Sequence, residues 1–274
     1  MNFIASALIA ATLASGTSAS LPNNYSAAFA SYSEGDYEIA FQIWERLAYR
    51  GRADAQYAMG VMYELGSGVE LDYQKAANWY QKSAAQNFAM AKNNLGMLYE
   101  SGLGVTQSFD AAIHCYQAGA EQGLASAQYN LALMHYQGQG IKKDFVEASN
   151  WMRLAADQGF ASAQYNLGIM YQRGEGVAHD DAAAVKWYIE ALKWGAPRAE
   201  TSLRMLLQDK IRGVATQSTQ VRDQPNASSA IVSSLRPGDS YYTLREDGTW
   251  IAVLLNDQRT VGWIHRGATT LGAM

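Results

Sequence analysis

Stepping along the chain by 36 residues from Arg52 lands on Phe88, Leu124, Phe160 and Ala196, and the first four segments so marked are copies of one another. They open RADAQYAMGVMYELGSGV, FAMAKNNLGMLYESGLGV, LASAQYNLALMHYQGQGI and FASAQYNLGIMYQRGEGV. Their second halves begin DYQKAANWY, SFDAAIHCY, DFVEASNWM and DDAAAVKWY, and no insertion breaks the register. A period of this length means stacked supersecondary units, because one unit cannot bury its apolar face alone. A shorter copy, YSAAFASYSEGDYEIAFQIWERLAYRG, precedes the four, and a partial one, APRAETSLRMLLQDKI, follows as a closing helix.

Each unit reads as two helices. In the first, Ala91, Leu95, Leu98 and Tyr99 fall on one helical face. A tiny residue recurs at Gly60, Gly96, Ala132 and Gly168, where a neighbouring helix is expected to approach closely. In the second, Ala76, Ala112, Ala148 and Ala184 stand three residues before Trp79, Cys115, Trp151 and Trp187, small beside large. Asn87, Gly123, Gly159 and Gly195 then suit a left-handed helix cap. The double-glycine stretches, such as GSGVELD from Gly66, are not dinucleotide loops. The third glycine slot holds Leu71, Gln107, Lys143 and His179, and a dinucleotide loop follows a strand whereas these join helices. They are expected to be tight turns, with Val69, Val105, Ile141 and Val177 tucked into the core.

The pattern A-x-A-Q-Y-N-L-G-x-M-Y-x-x-G-x-G-V, then A-x-x-W-Y-x-x-A-A-x-Q-G, resembles the Sel1-like repeat family, cousins of tetratricopeptide repeats; ASAQYNLGIMYQRGEGV around Gly168 carries it almost letter for letter. The resemblance covers about Tyr25 to Ile211 and implies a mainly α fold, a right-handed α/α superhelical solenoid of 36-residue helix pairs. Cys115 in a tryptophan slot, Ala132 for glycine and His135 for tyrosine depart from it. Cysteine-rich exported members of the family are stapled by disulfides; with one cysteine this chain has none to form.

Past Ile211 the period stops. RGVATQSTQ reads as a polar linker, and TQVRDQP, AIVSSL, SYYTL, TWIAVLL and VGWIHR read as five short strands between RPGD, REDG and NDQR turns. Val221, Pro225, Leu235, Gly238, Trp250, Val253, Gly262 and Trp263 carry a resemblance to bacterial SH3-like domains, which implies a small all-β barrel binding peptide or cell-wall material. From Gly213 onward five arginines balance five acids, so the net charge of −4 belongs to the solenoid.

That charge, without a basic run, argues against nucleic acid as a partner. The first charged residue is Glu34, and an apolar run from Phe3 to about Leu13 precedes small residues at Thr17-Ser18-Ala19. We therefore expect a signal peptide over 1–19, lacking a basic start, then solenoid over 20–212 and SH3-like barrel over 213–274. The run is too short to span a bilayer, and no other segment is apolar enough to serve as a transmembrane segment. A periplasmic or secreted location follows, with a cytoplasmic scaffold as the alternative if the N-terminus is retained.

His114, His135, His179 and His265 lie at no metal-binding spacing, Cys115 sits in a packing slot, and no G-x-S-x-G elbow occurs. The reading is non-catalytic, with no metal and no cofactor; a cell-wall hydrolase, or an accessory to one, is the rival. A binding face has more behind it. Asn94, Asn130 and Asn166 recur at one position outside the Leu95/Leu98/Tyr99 stripe, and stacking would align them as an amide ladder for a peptide. Met97, Gln137 and Arg173 share that face. Two roles stay open for the asparagines: capturing a protein or peptide partner, or tying one repeat to the next. The barrel is expected to tether the chain to peptide or peptidoglycan, or else to cap the solenoid.

Overall fold

The computed structural model describes residues 24–208, 212–257 and 259–271. The expected signal peptide lies outside the described residues. Among those described are eleven helices followed by seven short strands. The chain divides into two compact units between Ala127 and Gln128, and each is taken by itself.

In the first unit, α1 (Tyr25–Glu34) and α2 (Tyr37–Tyr49) form the short leading pair. Next come α3 (Ala53–Leu65) with α4 (Tyr73–Ala85) and α5 (Ala89–Ser101) with α6 (Phe109–Ala120). Helix α7 (Ala125–Gln137) starts the next repeat. In the second unit follow α8 (Phe145–Asp157), α9 (Ala161–Arg173), α10 (Asp181–Lys193) and α11 (Arg198–Gln208).

Local chemistry repeats with the sequence. The second helices start at Asp72, Ser108, Asp144 and Asp180, whose side chains accept from backbone N–H groups of the first turn, satisfying donors a helix end leaves over. The turns carry glycine at positive φ twice each, as at Gly66 (67°) and Gly68 (72°). The second glycine has another duty: a Cβ on Gly68 would press on Tyr37 at the start of α2, and one on Gly104 would strike the Tyr73 backbone at the start of α4. The turn of one repeat thus rests on the second helix of the repeat before. Val69, Val105, Ile141 and Val177 are half-buried beneath these turns.

The close approach at the tiny residue is made by a tyrosine of the same repeat. Tyr80, Tyr116 and Tyr188 are fully buried, and their rings lie where side chains on Gly60, Gly96 and Gly168 would go. The slot of Trp79, Cys115, Trp151 and Trp187, which looks dominant in sequence, is more exposed than the residue after it. In the third repeat two departures match: Ala132 replaces glycine, and the tyrosine position holds Met152. A methyl has been added and a ring removed.

The sheet comprises β1 (Arg212–Ala215), β2 (Thr219–Arg222), β3 (Ile231–Leu235), β4 (Ser240–Asp247), β5 (Trp250–Leu255), β6 (Val261–His265) and β7 (Thr269–Leu271). It is antiparallel in the order β3-β2-β6-β5-β4-β1-β7. The five expected strands are β2 to β6. The stretch expected to be a linker instead opens with β1, whose Val214 pairs with Ser240 and whose Ala215 is buried. Acidic Glu246 and Asp247 finish β4 rather than standing in the turn.

Both faces of β5 are covered. Ile251, Val253 and Leu255 join Val221, Leu235, Tyr241 and Ile264 in a core internal to the sheet. Ala252 and Leu254, with Leu244 and Trp263, join the core of α10 and α11 through Tyr188, Ile189, Leu203 and Leu207. A strand buried on two faces reads as an unbroken apolar run, which is what WIAVLL is. Asp180 ties the same seam: it caps α10, accepting from Ala182 N at 3.0 Å and Ala183 N at 3.1 Å, while its other carboxylate oxygen accepts from Arg245 of β4. The Arg245 guanidinium lies 5.0 Å from the centroid of the Trp263 ring.

Candidate functional site

The first helices are buried around most of their circumference. In α3 every residue from Ala55 to Met62 is buried, so the helix has little free surface beyond its last turn. The recurrent asparagines sit within this crowded layer and meet different surroundings.

Asn94 is only 8% exposed. Its Nδ2 donates to Tyr80 Oη at 3.1 Å, and that hydroxyl donates in turn to the Glu64 carboxylate. The network holds the second repeat against the first. Burial raises the Glu64 carboxyl above its usual range, against the Tyr80 and Asn94 hydrogen bonds that lower it. Burial likewise pushes the Tyr57 phenol up to about 12, with Glu64 adding to the effect and the Asn94 amide opposing it. Met97, one turn on, is 44% exposed, with its Sδ 3.7 Å from Asn93 Nδ2.

Asn130 and Asn166 are half-buried. Asn166 Nδ2 donates to Tyr129 Oη at 3.3 Å, linking the fourth repeat to the third. Tyr165, the next copy of that tyrosine, lies 3.3 Å by its hydroxyl from Ser202 Oγ of the closing helix. The recurring position therefore stitches repeats together, yet at Asn166 it also borders open space. Gln137, Asn166 and Arg173 stand at the rim of one hollow of about 150 Å³, together with Tyr136. Leu133, Met152, Ile169 and Met170 form its apolar lining.

Two residues of the third repeat that line this hollow, Tyr136 and Met152, depart from the pattern of the other repeats. In the first, second and fourth repeats the helix-two tyrosine donates to the end of helix one, at Glu64, at Glu100 Oε2 (2.6 Å) and at Gln172 Oε1 (2.6 Å). In the third, Met152 has no hydroxyl, and the position equivalent to those acceptors holds Tyr136. Tyr136 Oη donates instead to Glu175 Oε2 at 2.7 Å, in the turn of the fourth repeat. Glu175 Oε1 is 4.0 Å from Arg173 Nη1, a long contact, and the Arg173 side chain, which also borders Tyr136, is 60% exposed.

Elsewhere the polar chemistry is ordinary. Cys115 is half-buried, and burial raises its thiol to about 11, so it is held as the unreactive thiol. His179 pairs with Asp181 at 3.2 Å, and the His265 ring lies edge-on to Trp250. Among the described residues no three His, Cys, Asp or Glu side chains gather as metal ligands, and no helix is long and apolar enough to cross a membrane. The tyrosine–acceptor pairs and the Ala132–Met152 exchange were not singled out from sequence. Aligning the repeats column by column at separations of 16 and 20 residues would have found both, since 64/80, 100/116 and 172/188 differ by 16 and 60/80, 96/116, 132/152 and 168/188 by 20.

Comparison with known proteins agrees with the repeat. The model of the Sel1 repeat matches residues 53–88, 89–124, 125–160 and 161–193. A Sel1 repeat protein from Oxalobacter formigenes is 31% identical, with a TM-score of 0.64 over 67% of this chain and 75% of that one. A protective antigen of uropathogenic Escherichia coli strains, displaying an SLR fold, is also 31% identical, with a TM-score of 0.63 over 68% of this chain and 41% of that one. No curated protein matches the chain. With four matched units spanning more than half its length, the chain belongs to the Sel1 repeat family.

Proposed function

We propose that this protein is a non-catalytic adaptor of the bacterial cell envelope that holds a protein or peptide on the surface formed by its first helices. The observation that carries the reading is the hollow between the third and fourth repeats, where Gln137, Asn166 and Arg173 converge over an apolar floor. Amide and guanidinium groups at the rim suit the alternating donors and acceptors of an extended chain. Export is part of the proposal, supported by the apolar run from Phe3 ahead of small residues. The C-terminal sheet is assigned to the SH3-like class on Val221, Leu235, Gly262 and Trp263; Gly262 lets β6 lie against Val221 and the Arg222 carbonyl.

The test is in-cell photocrosslinking with benzoylphenylalanine at Met97, Gln137 or Arg173. A discrete adduct with one protein is expected from Gln137 or Arg173, and no adduct from any of the three overturns the reading. Sedimentation of the full-length chain with insoluble peptidoglycan tests the tether. No retention leaves the sheet as the cap of the last repeats, a role the core shared with α10 and α11 already supports.

A further inference from the structure

We infer that the third repeat is a specificity position, and that its hollow takes an aliphatic or phenyl side chain of a peptide whose neighbouring residue is acidic. The inference rests on the peptide-binding reading above and narrows it to one occupant.

The hollow exists because the packing there differs from that in the other repeats. Elsewhere a tyrosine ring fills the space beside the tiny residue and closes on an acceptor at the end of the first helix. In the third repeat that ring is Met152, and Tyr136 turns its hydroxyl to Glu175. The three exchanges, Ala132, Tyr136 and Met152, fall in one repeat and one neighbourhood. Methionines line irregular apolar gaps and adjust to what enters them. A volume of about 150 Å³ is that of an apolar cavity which accepts a benzene-sized group. One leucine, methionine or phenylalanine side chain fits; a tryptophan does not.

Charge selects the neighbour. Arg173 is 60% exposed at its side chain and meets Glu175 only at 4.0 Å, so the guanidinium can take a carboxylate through two parallel hydrogen bonds. The amides of Asn166 and Gln137 flank the opening and suit main-chain groups, so the bound segment continues past the hollow. The carboxylate is therefore an internal aspartate or glutamate rather than a chain terminus.

The experiment uses the full chain and a position-scanning library of octapeptides, amidated at the C-terminus, read as enrichment at each fixed position. Wild type is expected to enrich leucine, methionine or phenylalanine at least fivefold beside aspartate or glutamate. The triple variant A132G/Y136Q/M152Y rebuilds the packing of the fourth repeat, so it keeps its fold and is checked by circular dichroism and melting. It should lose the apolar preference while R173Q loses only the acidic one. The same enrichment from the triple variant overturns the inference, as does acidic selection that survives R173Q. Binding confined to a free-acid copy of the library overturns the internal carboxylate. A wild-type library without any enrichment also overturns it, whereas crosslinking at Gln137 or Arg173 reports on the broader reading independently.

Discussion

The ring of Tyr188 occupies the place where Gly168 would carry a side chain: a Cβ there would stand 2.6 Å from Tyr188 Cε1. Alanine at that position gains helix propensity of about 1 kcal/mol but overpacks a closed contact, at about 1–3 kcal/mol. We expect G168A to lower stability by up to ~2 kcal/mol. Adding Y188M, which copies the Ala132–Met152 pairing, should recover at least half of that loss. Urea unfolding of the single and double variants checks it, and strict additivity would refute the paired-exchange account.

Asn94 and Asn166 should separate the two roles open to the ladder. Asn94 is buried and bonded to Tyr80, so N94A strands buried polar groups and should cost about 1–3 kcal/mol. Asn166 is half-buried beside open space, and N166A should cost less than ~1 kcal/mol. Equal losses in chemical denaturation would contradict this division.

Glu64 makes stability depend on pH in a stated direction. Its carboxyl is raised in the folded state, so the folded protein holds a proton the unfolded one releases more readily. The contribution is fully present below the unfolded value and is lost as pH rises through the folded one. E64Q, which copies the Gln172–Tyr188 pair, removes that loss. We expect it to melt at a higher temperature than wild type at pH 7, and thermal melts across the pH range check it. The gain should shrink toward pH 4.

Asp144 and Asp180 cap equivalent helices, but Asp180 also receives Arg245 from the sheet. D144A should cost about 1 kcal/mol for the cap alone. D180A should cost about 0.5–1 kcal/mol more, and the excess should vanish in an R245A background. Thermal melts of the four variants measure the coupling.

The helix pairs, their caps and their turns were legible because a 36-residue period lets each unit check the others. Asn87, Gly123, Gly159 and Gly195 past the second helices, and the paired glycines of the turns, all at positive φ, are local signals that do not depend on packing. Packing partners were less visible. Tryptophan at 79, 151 and 187 drew attention by size, yet the fully buried ring is the following tyrosine in the first and fourth repeats, because it faces the tiny residue. A stripe argument put Asn94 outside the core, but a helix enclosed on nearly all sides has no single stripe. Strand β1 escaped because a four-residue segment, RGVA, carries too little pattern to stand out from a polar linker, although it pairs with both β4 and β7. The hollow was out of reach for a different reason: it arises from a ring that is missing, and sequence displays what is present.

The seam between the sheet and α10–α11 changes the status of the last repeat. In a linear array an end unit is held from one side and opens first, while inner units are held from two. Leu244, Ala252, Leu254 and Trp263 supply that second side, so the closing helix is bounded like an inner one. Amide exchange in α11 should then be slowed to the level of α9 rather than showing a frayed terminus. The array is sealed at this end by a different kind of structure, and lengthening it by one more repeat there would mean breaking the seal first.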